Sequence, residues 1–272
     1  MAQKTKVALI GFGEAGMAFA SAWRADAIAY DIKTDDPAFA AAKNADYARC
    51  GVRGAATLAD ALAGAPFVLS LVTADQALEA AAAAARLIAP GTLYCDFNSV
   101  APQTKQAAAR LIEAAGGAYA DVAVMAPVHP AGLAVPLLVS GADAGPALTG
   151  LGFAPRRIEG SVGRASTIKM LRSVMVKGIE ALTAECFLAA RQAGVAEEVA
   201  ASLDASWPGA DWAARADYNL GRMRAHGLRR AAEMEEAAAT LEGLGMDNEM
   251  ALATAAVQRR LGVPAPAAAE AA

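Results

Sequence analysis

Histidine is almost absent from this chain, with two copies in 272 residues, and cysteine (three), aromatic side chains (6%) and excess positive charge (net −4) are scarce as well. Each shortage excludes something. Cys50, Cys95 and Cys186 are odd in number, far apart and free of C-x-x-C spacing, so neither a disulfide framework nor a zinc site is expected. We expect no bound metal. A mildly acidic chain without a basic stripe interleaved with aromatics has no general attraction for nucleic acid. Long apolar runs are missing too: hydrophobic residues reach 56%, but mostly as dispersed alanine. The most apolar stretch, 77–88, carries Glu79 and Arg86 and is too short for a bilayer, so no membrane partner is expected. Lys4 and Lys6 lead straight into an apolar run with no export leader before it, and we expect a cytoplasmic protein.

What is present is concentrated near the start. Val7-Ala8-Leu9-Ile10 suits a buried parallel strand and runs into Gly11-Phe12-Gly13-Glu14-Ala15-Gly16, with a helical pattern over 17–24 behind it. In this G-x-G-x-x-G setting Gly11 permits a tight turn, Gly13 lets backbone approach a pyrophosphate, and Gly16 allows close packing of helix on strand. The N–H groups of the helix start then face the phosphates. Residues 27–30 read as a second strand ending in Asp31, about twenty positions after Gly11, where a carboxylate would accept hydrogen bonds from an adenosine ribose. The loop residues Gly11 to Gly16, Asp31, and Val72 and Thr73 at the end of a later strand are therefore the candidate dinucleotide contacts. A strand-turn-helix that merely packs is the alternative.

Further along, helical patterns at 37–49 and 58–62 alternate with strand patterns at 51–56, 66–72, 92–96, 119–125, 137–140 and 156–158, and Asn98-Ser99 are placed to cap the helix in which Pro102 sits. Strands alternating with helices predict a mostly parallel sheet covered on both faces. From 166 to 261 the pattern is helical only. Ile168, Leu171, Met175, Ile179, Leu182, Cys186 and Ala189 mark the apolar stripe of one long helix over 164–192, about 43 Å at 1.5 Å per residue. Further helices are expected over 197–205, 212–223, 228–241 and 248–260, and a frayed tail over 264–272. The fold class is α/β: a Rossmann-type doubly wound domain over 1–162, then an all-α domain over 163–272 with substrate and dimerisation roles.

A nicotinamide cofactor needs a proton-handling partner. Lys169 fits, early in the long helix, where a cleft between domains would desolvate it and a cationic ring would lower its pKa. Ser173 and Lys177 follow on the same stripe. The competing reading makes all three the solvated side of an amphipathic helix.

These motifs together resemble the β-hydroxyacid dehydrogenase superfamily, the group of 3-hydroxyisobutyrate and 6-phosphogluconate dehydrogenases and their imine-reductase relatives. Asp96-Phe97-Asn98-Ser99-Val100-Ala101-Pro102 is similar to the family's D-x-[ST]-[ST]-x-x-P segment near the nicotinamide ribose. Gly163 with Lys169-Met170-Leu171-Arg172-Ser173 is similar to its glycine-then-K-x-x-x-N segment. The resemblance implies that Lys169 is the general acid/base, that Asn98 lies by the cofactor, and that Ser99 and Ser173 orient the substrate. Two departures stand out. Ser173 replaces an asparagine, and the family's D-A-P-V-S-G-G loop reads Asp121-Val122-Ala123-Val124-Met125-Ala126-Pro127 here. His129 would then supply a polar contact beside the altered loop. With Arg172 and the 222–230 segment, this points to a branch resembling putative phosphogluconate dehydrogenases. His226 and Arg230 are candidate substrate contacts, or simply a basic helix start.

Asp31 disfavours a 2′-phosphate and so favours NAD, while Lys33 offsets it and leaves NADP open. The expected activity is hydride transfer between NAD(P) and the hydroxyl-bearing carbon of a small hydroxy acid or sugar acid, in a homodimer whose helical domains complete each other's clefts. Two alternatives are kept: an imine reductase-like C=N reductase, and a non-catalytic nicotinamide-binding protein.

Overall fold

The computed structural model describes residues 6–23 and 26–263. The expectation for the 264–272 tail lies outside them. By contact density the chain divides into two compact units, Met1–Lys169 and Met170–Ala272.

The first unit begins β1 (Lys6–Ile10), α1 (Glu14–Ala20), β2 (Asp26–Tyr30), α2 (Pro37–Arg49), β3 (Arg53–Gly54), α3 (Leu58–Leu62) and β4 (Phe67–Ser70). It continues through α4 (Ala77–Ala85), β5 (Leu93–Asp96), α5 (Pro102–Ala114), β6 (Ala118–Val124), β7 (Leu137–Gly141), α6 (Gly145–Gly150) and β8 (Pro155–Arg157) to the start of α7 (Arg164–Ala193). The strands form one eight-stranded sheet in the order β3-β2-β1-β4-β5-β6-β7-β8, in which only β6 and β7 pair antiparallel. Alternation along each strand divides the core. Val7, Leu9, Ala29, Leu69 and Val122 face one way with Phe19 of α1 and Leu148 of α6. Ala8, Ile28, Val68, Tyr94 and Tyr119 face the other, against Ala61 of α3, Ala81 of α4 and Ile112 of α5. The sheet is thus doubly wound, and strand order reverses at the β1/β4 junction, where such folds take ligands at the carboxyl ends of the strands.

The second unit holds the rest of α7 with α8 (Ala196–Ser206), α9 (Trp212–Gly243) and α10 (Glu249–Gly262). Among the described residues no helix is long and apolar enough to cross a membrane. Two expectations fail here. The helices expected over 212–223 and 228–241 are one, α9, running unbroken through Gly227. That glycine is not a helix stop. A Cβ on it would collide with the carbonyl oxygen of Gln258 and lie 2.6 Å from Cα of Gly262, so it lets α9 and α10 touch through backbone. Gly227→Ala should therefore destabilise despite alanine's advantage of about 1 kcal/mol in a helix. The overlap costs about 3 kcal/mol, and urea unfolding should show a net loss of about 2 kcal/mol.

The second is the solvated-face reading of α7, whose apolar stripe faces out instead. Met175 is 65% and Leu182 60% exposed, with Leu171 and Ile179 beside them, whereas Ser173, Lys177 and Glu180 are buried. The polar face is covered because it is paired. Lys177 Nζ lies 2.7 Å from Glu233, which Arg229 also meets at 2.6 Å, and Glu180 pairs with Arg230. Burial lowers the Lys177 pKa, opposed by the neighbouring Glu233 carboxylate.

Candidate active site

The loop after β1 has the backbone that its glycines require. Gly11 has φ +84°, and a Cβ there would lie 2.7 Å from the Leu71 carbonyl oxygen, so only glycine lets this turn pass the end of β4. Gly16 packs instead on the Phe12 ring, which would stand 3.2 Å from a Cβ at that position. At Gly13 a side chain would meet no protein atom within 4 Å, so packing does not explain its bareness. Gly13 is also the residue before α1, where no side chain caps the helix. The first N–H groups of α1 are thus available to an anion, which fits a dinucleotide pyrophosphate. Gly13 and Glu14 are exposed and Ala15 half-buried.

Phe12, a candidate cofactor contact by its place in the loop, is engaged within the protein. Its ring is fully buried and packs on Tyr47, with centroids 4.9 Å apart. Its backbone is engaged as well: its N–H donates to Asp31 Oδ2 at 2.8 Å and its carbonyl accepts from Lys43 Nζ at 2.8 Å. Phe12 therefore fixes the loop from below. Asp31 has a second task beside the expected one, since it holds this loop to the end of β2 and also accepts from the Lys33 N–H at 3.0 Å. Lys43, on α2, had no local signal in the sequence.

A second feature lies farther along the same sheet edge. Strand register sets Ser70, Asp96, Asp121 and Ser140 directly opposite one another across β4, β5, β6 and β7, all four fully buried. Lys105 of α5, also fully buried, reaches this row with its ammonium 2.9 Å from Asp96 Oδ1 and 3.6 Å from Asp121 Oδ1. The Tyr119 hydroxyl donates to Asp96 Oδ2. Burial, and next the Asp96 charge, hold the Tyr119 pKa well above the usual phenol range.

From this row the segments bearing the other candidates are hung. Asn98 does not cap α5, which starts at Pro102 with no side-chain cap. It is buried, donating to Ser70 Oγ at 2.9 Å and accepting from the Val72 N–H at 2.7 Å. Asn98 thus holds Val72, next to Thr73, two further candidate cofactor contacts that are half-buried and exposed respectively. Asp121, expected only as the first residue of a substrate loop, receives the start of α7. Its Oδ2 accepts from the N–H groups of Gly163 (3.1 Å) and Ser166 (3.0 Å), its Oδ1 from the Ser166 hydroxyl (2.6 Å). One turn into α7, the ammonium of half-buried Lys169 donates to Ser99 Oγ, joining residues 70 apart in sequence.

The remaining candidates stand on other segments. His129 is exposed on the loop after β6, next to buried Val128. In the second unit Ser173 is buried, 3.5 Å from Lys177 Nζ, and His226 is exposed on α9. Arg230, weighed as a substrate contact, is instead buried in its pair with Glu180. The solvated-face reading of α7 also fails, because Ser173 and Lys177 are covered.

Residues 6–145 match the family described as the NAD binding domain of 6-phosphogluconate dehydrogenase, and residues 190–261 match a domain of unknown function, DUF1932. A search of the curated proteins finds no match. Among solved structures, a conserved hypothetical protein from Sinorhizobium meliloti 1021 is 39% identical, with 94% of this chain and 88% of that one covered and a TM-score of 0.74. A conserved protein of unknown function, described as structurally similar to 3-hydroxyacid dehydrogenases, is 30% identical over 94% of this chain and 96% of its own (TM-score 0.73). The Mycobacterium tuberculosis 3-hydroxyisobutyrate dehydrogenase, solved with L-serine, shares the fold at 17% identity over 95% and 94% of the two chains (TM-score 0.76).

Proposed function

Because the chain belongs to the β-hydroxyacid dehydrogenase superfamily, we propose that it transfers a hydride between a nicotinamide dinucleotide and the hydroxyl-bearing carbon of a small hydroxy acid or sugar acid. The observation that carries this reading is the contact of Lys169 Nζ with Ser99 Oγ, on the sheet whose β1–α1 loop fits a pyrophosphate. When bound, the nicotinamide supplies or accepts the hydride. The protein's part is the proton. In oxidation the neutral Lys169 amine takes the proton of the substrate hydroxyl and becomes an ammonium, and in reduction the ammonium returns it. Ser99 orients both the ammonium and the substrate oxygen; Ser173, His129 and His226 are the further substrate contacts.

We read the cofactor as NAD. Asp31 at the end of β2 accepts from two backbone N–H groups, and a 2′-phosphate there would meet its negative charge. We also read the protein as a homodimer, because an apolar stripe as exposed as Met175 and Leu182 suits a partner surface better than water.

Steady-state assays with NAD and NADP against a panel of small hydroxy acids, sugar acids and cyclic imines test the reaction. The expected result is reduced dinucleotide formed with at least one hydroxy acid, with NAD the better cofactor. Reduction of cyclic imines without oxidation of any hydroxy acid would replace the reading with C=N reduction. Tight NADH binding without turnover of either class would make the protein a nicotinamide binder.

A further inference from the structure

We infer that Lys105 is a positioning residue: its buried ammonium, shared by Asp96 and Asp121, sets Lys169 and Ser99 against each other. Asp96 and Asp121 are directly opposed on neighbouring strands, and both are fully buried. Strands lie about 4.8 Å apart, and two carboxylates so close away from water repel each other strongly unless a counter-charge lies between them. Lys105 is that counter-charge, and it also donates to the Asp96 carbonyl at 2.7 Å.

Each carboxylate carries one arm of the site. Asp96 Oδ1 accepts from the Asn98 N–H at 2.8 Å and so fixes the segment that ends in Ser99. Asp121 caps the first turn of α7 through Gly163 and Ser166, and Ser140 adds a bond from the Ala165 N–H at 3.0 Å. Lys169 stands one turn beyond Ser166 on that capped helix. The two arms have no common anchor in sequence; they meet through one ammonium. Burying ions costs several kcal/mol each before pairing, and apolar replacements of such clusters often stabilise a protein. What the cluster supplies here is geometry: a fixed distance between the two arms, and thereby the Lys169–Ser99 contact.

The inference rests on the proposed role of Lys169, but its test needs no turnover. The rate at which acetic anhydride labels Lys169 is followed by peptide mass spectrometry, with exposed Lys33 as internal reference. Three variants are compared with the wild type: Lys105→Gln, Asp121→Asn, which retains an acceptor for the α7 N–H groups but removes the anion, and Ser166→Ala. In Lys105→Gln and Asp121→Asn the Lys169 rate relative to Lys33 should rise about fivefold or more, and in Ser166→Ala about twofold. NADH affinity should stay within about twofold in all three. A residue that only stabilises the fold would lower Tm and leave the ratio of rates unchanged. Lys105→Gln is the variant most exposed to misfolding, and the other two decide the matter without it. An unchanged ratio in folded Asp121→Asn and Ser166→Ala overturns the inference. Full activity of a Lys169 variant would overturn the proposed reaction, while leaving the labelling result readable.

Discussion

Lys169→Ala should abolish turnover of whichever hydroxy acid the assays identify, lowering kcat by about 10²–10⁴-fold, the usual worth of a positioned general acid/base. Dinucleotide affinity should stay within a few-fold. The split follows from where the side chain lies: it contacts Ser99 Oγ at the start of α7, while the pyrophosphate fits the glycine turn after β1. The Phe12 backbone is held by Asp31 and Lys43, and Gly11 by its contact with Leu71. Fluorescence titration with NADH and steady-state kinetics separate the two effects. Near-normal kcat in the variant would remove Lys169 from the mechanism. A parallel loss of NADH binding would instead mean that the start of α7 had shifted, which Lys169→Met, closer in volume, distinguishes.

The second large effect is expected on assembly. Met175→Glu/Leu182→Glu should convert the proposed dimer to a folded monomer, read by light scattering at micromolar concentration and by an unchanged far-ultraviolet spectrum. Both side chains are about two-thirds exposed, so the charges enter no core. At an interface each would remove an apolar contact of roughly 2 kcal/mol. Two sites weaken association by about 4 kcal/mol, on the order of 10³-fold in Kd. A wild-type monomer at the same concentration would refute the dimer, and a variant that stays dimeric would move the interface off α7.

Much of this was legible in the residues. A strand running into G-x-G-x-x-G, an acidic side chain at the end of the next strand, and alternation of period-2 with helical segments all express local sterics, and the β1–α1 turn has the backbone they demand. Lys169 and Ser99 were each visible through short segments resembling a family pattern, and the structure brings the two together. The errors share one origin. The break expected between 223 and 228 is absent, and Gly227 within it serves the backbone of α10, a separate helix that nothing in the α9 sequence announces. Phe12 is a candidate cofactor contact by its place in the loop, but what its ring touches, Tyr47 of α2, is set by packing that the loop sequence does not show. The apolar stripe of α7 follows helical spacing faithfully; spacing says which side chains share a face, and is silent on which face a neighbour covers.

The amino-acid sequence alone determined the two-part organisation and the dinucleotide turn, because each depends on local patterns of side chains within a few positions of one another. Tertiary structure decided the rest. Ser70, Asp96, Asp121 and Ser140 become one row only when β4 to β7 take their register, and Lys105 becomes their counter-ion only when α5 lies over them. Charge acts through space, and in this protein the distances that matter are set by strand pairing rather than by chain separation.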